Sequence, residues 1–284
     1  MKLDAGDSLP PTEIGRISRP AIPAVSDETA PARPATQAHP PRLAATDTLR
    51  LSVIIPTINE EAHLARTLRR ATASPVEEVV VVDGGSRDRT REIAASFGAR
   101  VIMAEPGRAR QMNAGAAAAT GGALLFLHAD TQLPDAFPQI VAGVLSRPGV
   151  SAGAFRLQIE SGRRSLRLVE SLVALRGWAF GMPYGDQALF LMAATFRQVG
   201  GFPDVPVMED FELIRRLRRL GRVRIARAAV TTSARRWLRH GVVRTTLLNQ
   251  ACVAARLAGI SPDRIASWRR MPGPKAPPGR SRSR

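Results

Sequence analysis

The sequence predicts an α/β protein: a doubly wound, mostly parallel sheet with helices on both faces. Three observations lead there. Residues 51–55, apolar but for Ser52, with 79–82 and 124–127, are short apolar runs, the pattern of strands buried on both faces rather than one. Stretches of helical character separate them, joined by short glycine-containing turns. The first run is followed by Thr57-Ile58-Asn59, the second by Asp83 and the third by His128-Ala129-Asp130. In open sheets of this kind, ligands bind outside the carboxyl ends of the strands.

Taken in order, the first strand spans 51–56 and is ended by Pro56. A helix to about residue 72 follows, with Asn59 or Thr57 as its cap and Glu60-Glu61 at its positive start. The second strand, 77–82, runs into Asp83-Gly84-Gly85-Ser86-Arg87-Asp88, where Ser86 or Asp88 starts a helix through Phe97 that Gly98 closes. A third strand covers 100–104 and a helix about 108–119. The apolar run then opens at Leu124 and is expected to stay extended to Thr131. Beyond it the pattern predicts a helix over 135–146, a strand over 150–159 and a helix over 164–180. A loop over 181–187, a strand over 188–192 and a turn at Gly200-Gly201-Phe202-Pro203 follow. The last elements are a helix over 209–220, a strand over 223–232 and a weakly amphipathic helix over 242–258.

Composition bounds the possibilities. Residues 1–50 are rich in Pro and Ala, poor in large apolar residues, and are expected to be disordered, as is the basic tail 271–284. The expected divisions are a 51–240 domain and a helical extension over 241–270. Cys252 is the only cysteine, which excludes a disulfide framework and fits a reducing compartment. No apolar run is long enough for a membrane span, and no apolar leader follows Lys2, so a cytoplasmic location is expected. The net charge is +17, and it is concentrated. Residues 213–262 hold twelve arginines and no carboxylate. Such a bias calls for an acidic partner: phosphates, an anionic lipid surface or nucleic acid. No helix-turn-helix, zinc or RNP pattern supports nucleic acid, and none is expected as a partner.

Four constellations carry chemistry. His128 and Asp130 both ligate divalent ions and point the same way if the chain stays extended; the plain alternative is a strand end and an Asp-Thr turn. Asp83, beside two glycines that let a ligand approach closely, is placed to accept hydrogen bonds from a base or a ribose; the alternative is an Asp-Gly turn that bonds its own backbone. In Met208-Glu209-Asp210, helical phase puts Asp210 on the inward face with Leu213, Ile214 and Leu217, and turns Glu209 about 100° away. The fourth is Arg235-Arg236-Trp237 with His240, an aromatic among arginines that suits a base or a phosphate or simply opens a surface helix.

These residues bring a family into view. Over about residues 50–240 the chain resembles the family 2 glycosyltransferases, of the GT-A fold. The resemblance is carried by Ser52-Val53-Ile54-Ile55-Pro56-Thr57 with Asn59-Glu60, by Val81-Val82-Asp83-Gly84-Gly85-Ser86, by His128-Ala129-Asp130 and by Glu209-Asp210. Gly107-Arg108-Ala109-Arg110-Gln111-Met112-Asn113 and Pro183-Tyr184-Gly185-Asp186-Gln187 make it most similar to the bacterial transferase 2 group associated with radical-SAM and selenium-related domains. The resemblance implies a nucleotide-diphosphate sugar donor, Asp83 on the base or ribose, Asp130 on Mn²⁺ or Mg²⁺, and Asp210 as general base. Two departures stand out. His128 replaces the first carboxylate of the metal motif, and Ser233 stands where the processive members' Gln-x-x-Arg-Trp has its Gln, so polymer synthesis is not expected.

The expected site is therefore Asp210 with Glu209 for catalysis and Asp130, His128 and His240 for the metal. Donor binding falls to Pro56, Thr57, Asn59, Glu60, Asp83, Ser86, Arg110, Asn113, Asp186, Gln187, Arg236 and Trp237. The acceptor is an unidentified hydroxyl, with a lipid-linked carrier and peripheral contact with an anionic membrane face among the expectations. The competing readings are a nucleotidyltransferase on a similar sheet, disfavoured by the lack of a Gly-rich, Lys-containing phosphate loop, and a basic nucleic-acid-binding module.

Overall fold

The apolar runs do form strands covered on both faces. In this computed structural model, which describes residues 49–180, 182–183 and 185–270, the first half alternates as expected. It runs β1 (Leu51–Thr57), α1 (Leu64–Ala71), β2 (Glu78–Asp83), α2 (Thr90–Ser96), β3 (Arg100–Met103), α3 (Arg108–Ala118) and β4 (Ala123–Phe126). Val53, Ile55, Val79, Val81 and Leu125 turn to one core, shared with Leu64 and Leu68 of α1; Ile54, Val80, Val82, Leu124 and Phe126 turn to the other, shared with Met112 of α3. Successive side chains of a strand point to opposite faces, so an unbroken apolar run serves two cores at once.

The second half is β5 (Thr131–Gln132), α4 (Phe137–Leu145), β6 (Val150–Glu160), α5 (Arg164–Phe180), β7 (Phe190–Met192), α6 (Ala193–Gln198), α7 (Glu209–Leu220) and β8 (Arg222–Ser233). Helices α8 (Arg235–His240), α9 (Val242–Leu257) and α10 (Pro262–Arg270) complete the described chain. The strands make one eight-stranded sheet in the order β3-β2-β1-β4-β7-β6-β8-β5. Its first four strands are mutually parallel; β7 enters antiparallel to both β4 and β6, and β8 lies parallel to β6. No described helix is long and apolar enough to cross a membrane.

Some local expectations do not hold. Neither Thr57 nor Asn59 caps α1, which begins at Leu64 with no side-chain cap; Asn59 instead sits in the left-handed region at φ 52°. The fourth strand stops at Phe126, and the chain turns before resuming as the two-residue β5. The expected disordered tails lie outside the described residues apart from Leu49 and Arg50, as do Gly181 and Tyr184 of the predicted loop. Asp88 does help start α2, accepting the Thr90 N–H at 3.0 Å.

One close approach positions the site. A Cβ on Gly115 would lie 2.4 Å from Ile54 Cγ2 and 2.8 Å from Val82 Cγ2, so only glycine lets α3 settle this closely on β1 and β2. That approach carries the start of α3, with Arg108 and Gln111, to the carboxyl edge of the sheet.

Candidate active site

Three strand ends build one rim. β1 pairs with β2 so that Thr57 meets Asp83, and with β4 so that Ile54 meets Phe126. The loops after all three strands therefore share one edge. Buried Gln111 ties two of the ends together, donating to the carbonyls of Thr57 at 2.7 Å and Val82 at 2.9 Å. The loops beyond are tied as well: the Asn59 N–H reaches Ser86 Oγ at 2.9 Å, and Asn59 Oδ1 accepts the Arg87 N–H at 2.9 Å.

The His128-Ala129-Asp130 turn is held from three directions. The Thr131 N–H closes it onto the His128 carbonyl at 3.1 Å. Thr67 of α1 donates to the Ala129 carbonyl at 2.7 Å, and the Ser233 N–H of β8 donates to the Asp130 carbonyl at 3.1 Å. His128 is half-buried. Removal from water drives its pKa well below the ordinary 6.5, and the charges of Arg108, Arg236 and Arg235 push the same way, so the imidazole is neutral. Asp130 Oδ2 lies 2.9 Å from Arg235 Nε, while the two terminal nitrogens of Arg235 clasp Glu60 at 2.9 and 2.7 Å.

The start of α7 faces this turn. Asp210 Oδ2 accepts the Gly185 N–H at 2.7 Å. A Cβ on Gly185 would stand 3.2 Å from Asp210 Oδ2 and 3.5 Å from His128 Nε2, so the two side chains converge on one glycine. Glu209 is 5% exposed and bonds Arg108 at 3.2 Å. Burial raises its pKa and the adjacent Asp210 adds to the rise, against the pull of Arg108. The phase argument is corrected here: Glu209 is buried and Asp210 half-buried, the reverse of the expected order. α7 is covered on two sides, by the sheet through Leu213, Ile214 and Leu217, and by the C-terminal helices through Phe211, Cys252, Ala255 and Ile265. A single apolar stripe does not report the second cover.

Three adjoining cavities meet at Arg108. The first, of about 350 Å³, brings together Pro56, Thr57, Glu60, His128, Asp130 and Arg236. The second, of about 60 Å³, gathers Asp186, Glu209 and Asp210 with His128 and Arg236. The third, of about 540 Å³, lies on the far side of Arg108 and includes Arg110, which pairs with Asp204 at 3.0 Å and Glu105 at 2.8 Å.

Other expected residues are engaged elsewhere. Asn113 exchanges hydrogen bonds with the Phe202 backbone at 2.8 and 2.9 Å, fixing the Gly200-Gly201 turn instead of a donor. Gln187 is buried and donates to the Phe155 carbonyl at 2.9 Å. Trp237 packs among Leu157, Ile159, Val169 and Val173, too deep to stack on a base. His240 is exposed at the end of α8 and lines none of the three cavities. Asp83 is wholly buried, with Oδ1 accepting the N–H groups of Gly85 at 3.0 Å and Ser86 at 2.8 Å.

The expected site does not include Arg108, Arg235 and Gln111, nor the α9 residues Asn249, Cys252 and Val253 that line the 60 Å³ cavity. Arg108 and Gln111 lay inside the Gly107–Asn113 motif and Arg235 beside Arg236, so their signal was present. The α9 residues had none, because only the packing of α9 on α7 brings them in.

The donor set bears on a divalent ion. Among the described residues no three His, Cys, Asp or Glu side chains cluster to hold one. Mg²⁺-type sites commonly use one or two carboxylates and take the remaining ligands from substrate phosphates and water. Asp130 supplies one such carboxylate, once Arg235 gives it up, and His128 lines the same cavity.

An arginine-lined cleft at the carboxyl ends of parallel strands is the ligand-binding position of an open α/β sheet. The family model described as Glycosyl transferase family 2 matches residues 52–198, more than half of the chain, and the chain belongs to that family. Relatives include validoxylamine A glucosyltransferase of Streptomyces hygroscopicus subsp. limoneus, 37% identical over 46% of this chain and 28% of that protein. Another is glucosyl-3-phosphoglycerate synthase of Mycolicibacterium smegmatis, 30% identical over 35% of this chain and 38% of that one. The chain thus aligns with well under half the length of these two relatives. S. aureus TarS residues 1–349, in complex with UDP, superposes with a TM-score of 0.53 at 18% identity, over 65% of this chain and 60% of that one. The mannosyltransferase PcManGT of Pyrobaculum calidifontis, in complex with GDP-Man and Mn²⁺, gives 0.52 at 23% identity, over 70% and 59%. The mostly parallel, helix-covered sheet is the GT-A fold of these enzymes.

Proposed function

We propose that the protein transfers a sugar from a nucleoside-diphosphate donor to an acceptor hydroxyl, with inversion at the anomeric carbon. The observation that carries this reading is the convergence of Asp210 and His128 on Gly185, beside a cleft ringed by Arg108, Arg235 and Arg236. In the transfer, the acceptor oxygen bonds the anomeric carbon as the bond to the diphosphate oxygen breaks. The acceptor proton passes to the Asp210 carboxylate, and attack opposite the leaving group inverts the centre. Negative charge collects on the departing diphosphate. Arg108, Arg235 and Arg236 stand where they stabilise it. A divalent ion held by Asp130 and His128 would add Lewis-acid stabilisation of the same charge. Neutral His128 contributes an imidazole nitrogen without placing another positive charge among three arginines.

Pro56, Thr57 and exposed Ile58 form the wall beside which the base and ribose would lie. Asp83 supports that wall from behind as well as being the expected partner of the base. The catalytic unit in this reading runs from 51 to 270, because α9 lines the cavity beside Asp210.

The test is a thermal-shift screen of nucleoside diphosphates and nucleotide sugars, with and without Mn²⁺, followed by donor hydrolysis. A true donor at a hundred times its dissociation constant stabilises the fold by roughly 2.7 kcal/mol. Failure of every nucleoside diphosphate to stabilise the protein, with or without the ion, overturns the reading.

A further inference from the structure

Helix α9 has two unlike faces. Its inner face carries buried Thr245, Cys252 and Ala255, and Asn249, Cys252 and Val253 line the cavity that contains Asp210. Its outer face carries Val243, Leu247 and Leu257, which are 70%, 64% and 69% exposed, with exposed Ala251 and Ala254 between them. These positions recur at three- and four-residue spacing, so they form one largely apolar stripe about 21 Å long, interrupted by exposed Gln250, on a 16-residue helix. Soluble surfaces scatter large apolar residues singly rather than in a row. The charge beside the stripe has one sign: Arg239, at the end of α8, and Arg244, in the first turn of α9, are both exposed, and Leu238 next to Arg239 is 51% exposed. Nowhere between residues 213 and 262 does a carboxylate occur to offset them.

We propose that this face is a docking surface for an anionic lipid bilayer, with α9 lying in the interface plane and Arg239 and Arg244 on the phosphates. An apolar stripe with exposed cations at its start matches the chemistry of an acidic headgroup layer over acyl chains. α9 then has a bilayer on one side and the Asp210 cavity on the other. An acceptor hydroxyl borne on a lipid would reach that cavity along the helix. The bilayer contact stands apart from the glycosyl-transfer reading; the delivery of a lipid-borne acceptor rests on it.

The experiment is co-sedimentation of the full chain with phosphatidylcholine vesicles and with phosphatidylcholine–phosphatidylglycerol vesicles at low salt. Binding to the anionic vesicles alone is expected. Val243→Gln with Leu247→Gln should lower partitioning about ten-fold or more, and Arg239→Gln with Arg244→Gln about five-fold per arginine removed. Light scattering reports the oligomeric state of the same samples. No sedimentation with anionic vesicles, equal binding to neutral ones, or unchanged binding of the Val243/Leu247 variant overturns the proposal. So does a wild-type dimer that the Val243/Leu247 variant makes monomeric, which would assign the stripe to a second copy. Calorimetric binding of a nucleoside diphosphate by the Val243/Leu247 variant should match wild type. In the wild-type chain, absence of vesicle binding with intact nucleotide binding fails the docking surface alone, and vesicle binding without nucleotide binding fails the transfer reading alone.

Discussion

Arg235 Nε lies 2.9 Å from Asp130 Oδ2, and the same guanidinium holds both oxygens of Glu60. The carboxylate expected to receive a metal ion is thus paired with an arginine that it shares with Glu60. The side chains of Asp130 and Glu60 are 13% and 16% exposed and that of Arg235 is 45% exposed, so the carboxylates are shielded while water screens the arginine in part.

This pairing predicts opposite shifts in one variant. Removing Arg235 as alanine should raise the affinity of Asp130 for Mn²⁺ in the absence of nucleotide, because a competing cation is gone. It should weaken nucleoside-diphosphate binding by about 1.5–3 kcal/mol, the range for a lost charged hydrogen bond. Asp130→Ala should erase the Mn²⁺-dependent part of diphosphate binding. Calorimetry decides: if both constants move together in Arg235→Ala, or neither moves, Arg235 is only a brace.

Asp210→Asn keeps the shape and one acceptor for the Gly185 N–H, gives up the bond from the Phe211 N–H, and removes the basic site. Donor affinity should hold while kcat falls about 10²–10⁴-fold, the range for general-base catalysis. Glu209→Gln should cost less. Steady-state kinetics on both variants tests the assignment, and a dead Glu209→Gln beside an active Asp210→Asn would reverse it.

Glu209 and His128 predict opposite pH responses. The folded pKa of Glu209 is raised above 4.5, so its contribution to stability is full below about 4.5 and is lost as pH rises through the folded value. Glu209→Gln should therefore raise Tm at neutral pH, with a gain that shrinks as pH falls toward 4.5. The folded pKa of His128 is depressed below 6.5, so its contribution is present above 6.5 and is lost as pH falls toward the folded value. His128→Gln should flatten the stability profile just below pH 6.5. Thermal melts across pH on metal-free protein measure both, and a Tm of Glu209→Gln below wild type at neutral pH would falsify the first.

Asp83→Ala should act on the fold as well as on the donor. The carboxylate is wholly buried and accepts two backbone N–H groups, which alanine leaves without a partner. A loss of about 1–3 kcal/mol in urea unfolding is expected, with Asp83→Asn milder because it keeps one acceptor. If Asp83→Ala is as stable as wild type, the turn does not depend on this side chain.

The sequence by itself determined the strands, their polar ends and the family. An apolar run covered on both faces is legible because every residue in it must be apolar, as Val79 to Val82 are, and a strand end is legible because His128 and Asp130 break such a run. Tertiary structure alone decided what those end groups touch. Thr67 and Ser233, each from a distant element, set the turn that aims His128 and Asp130, where the sequence argument assumed an extended chain. Trp237 and Gln187 have the chemistry of ligand-binding residues, yet packing draws one into a core and bonds the other to Phe155. The inward phase of α7 was legible from Leu213, Ile214 and Leu217, but the second cover, over Met208 and Phe211 on either side of Glu209 and Asp210, comes from α9 and α10, tens of residues away in sequence. Local periodicity reports one buried face of a helix. A second face buried by remote segments leaves no local pattern, so only the assembled fold shows it.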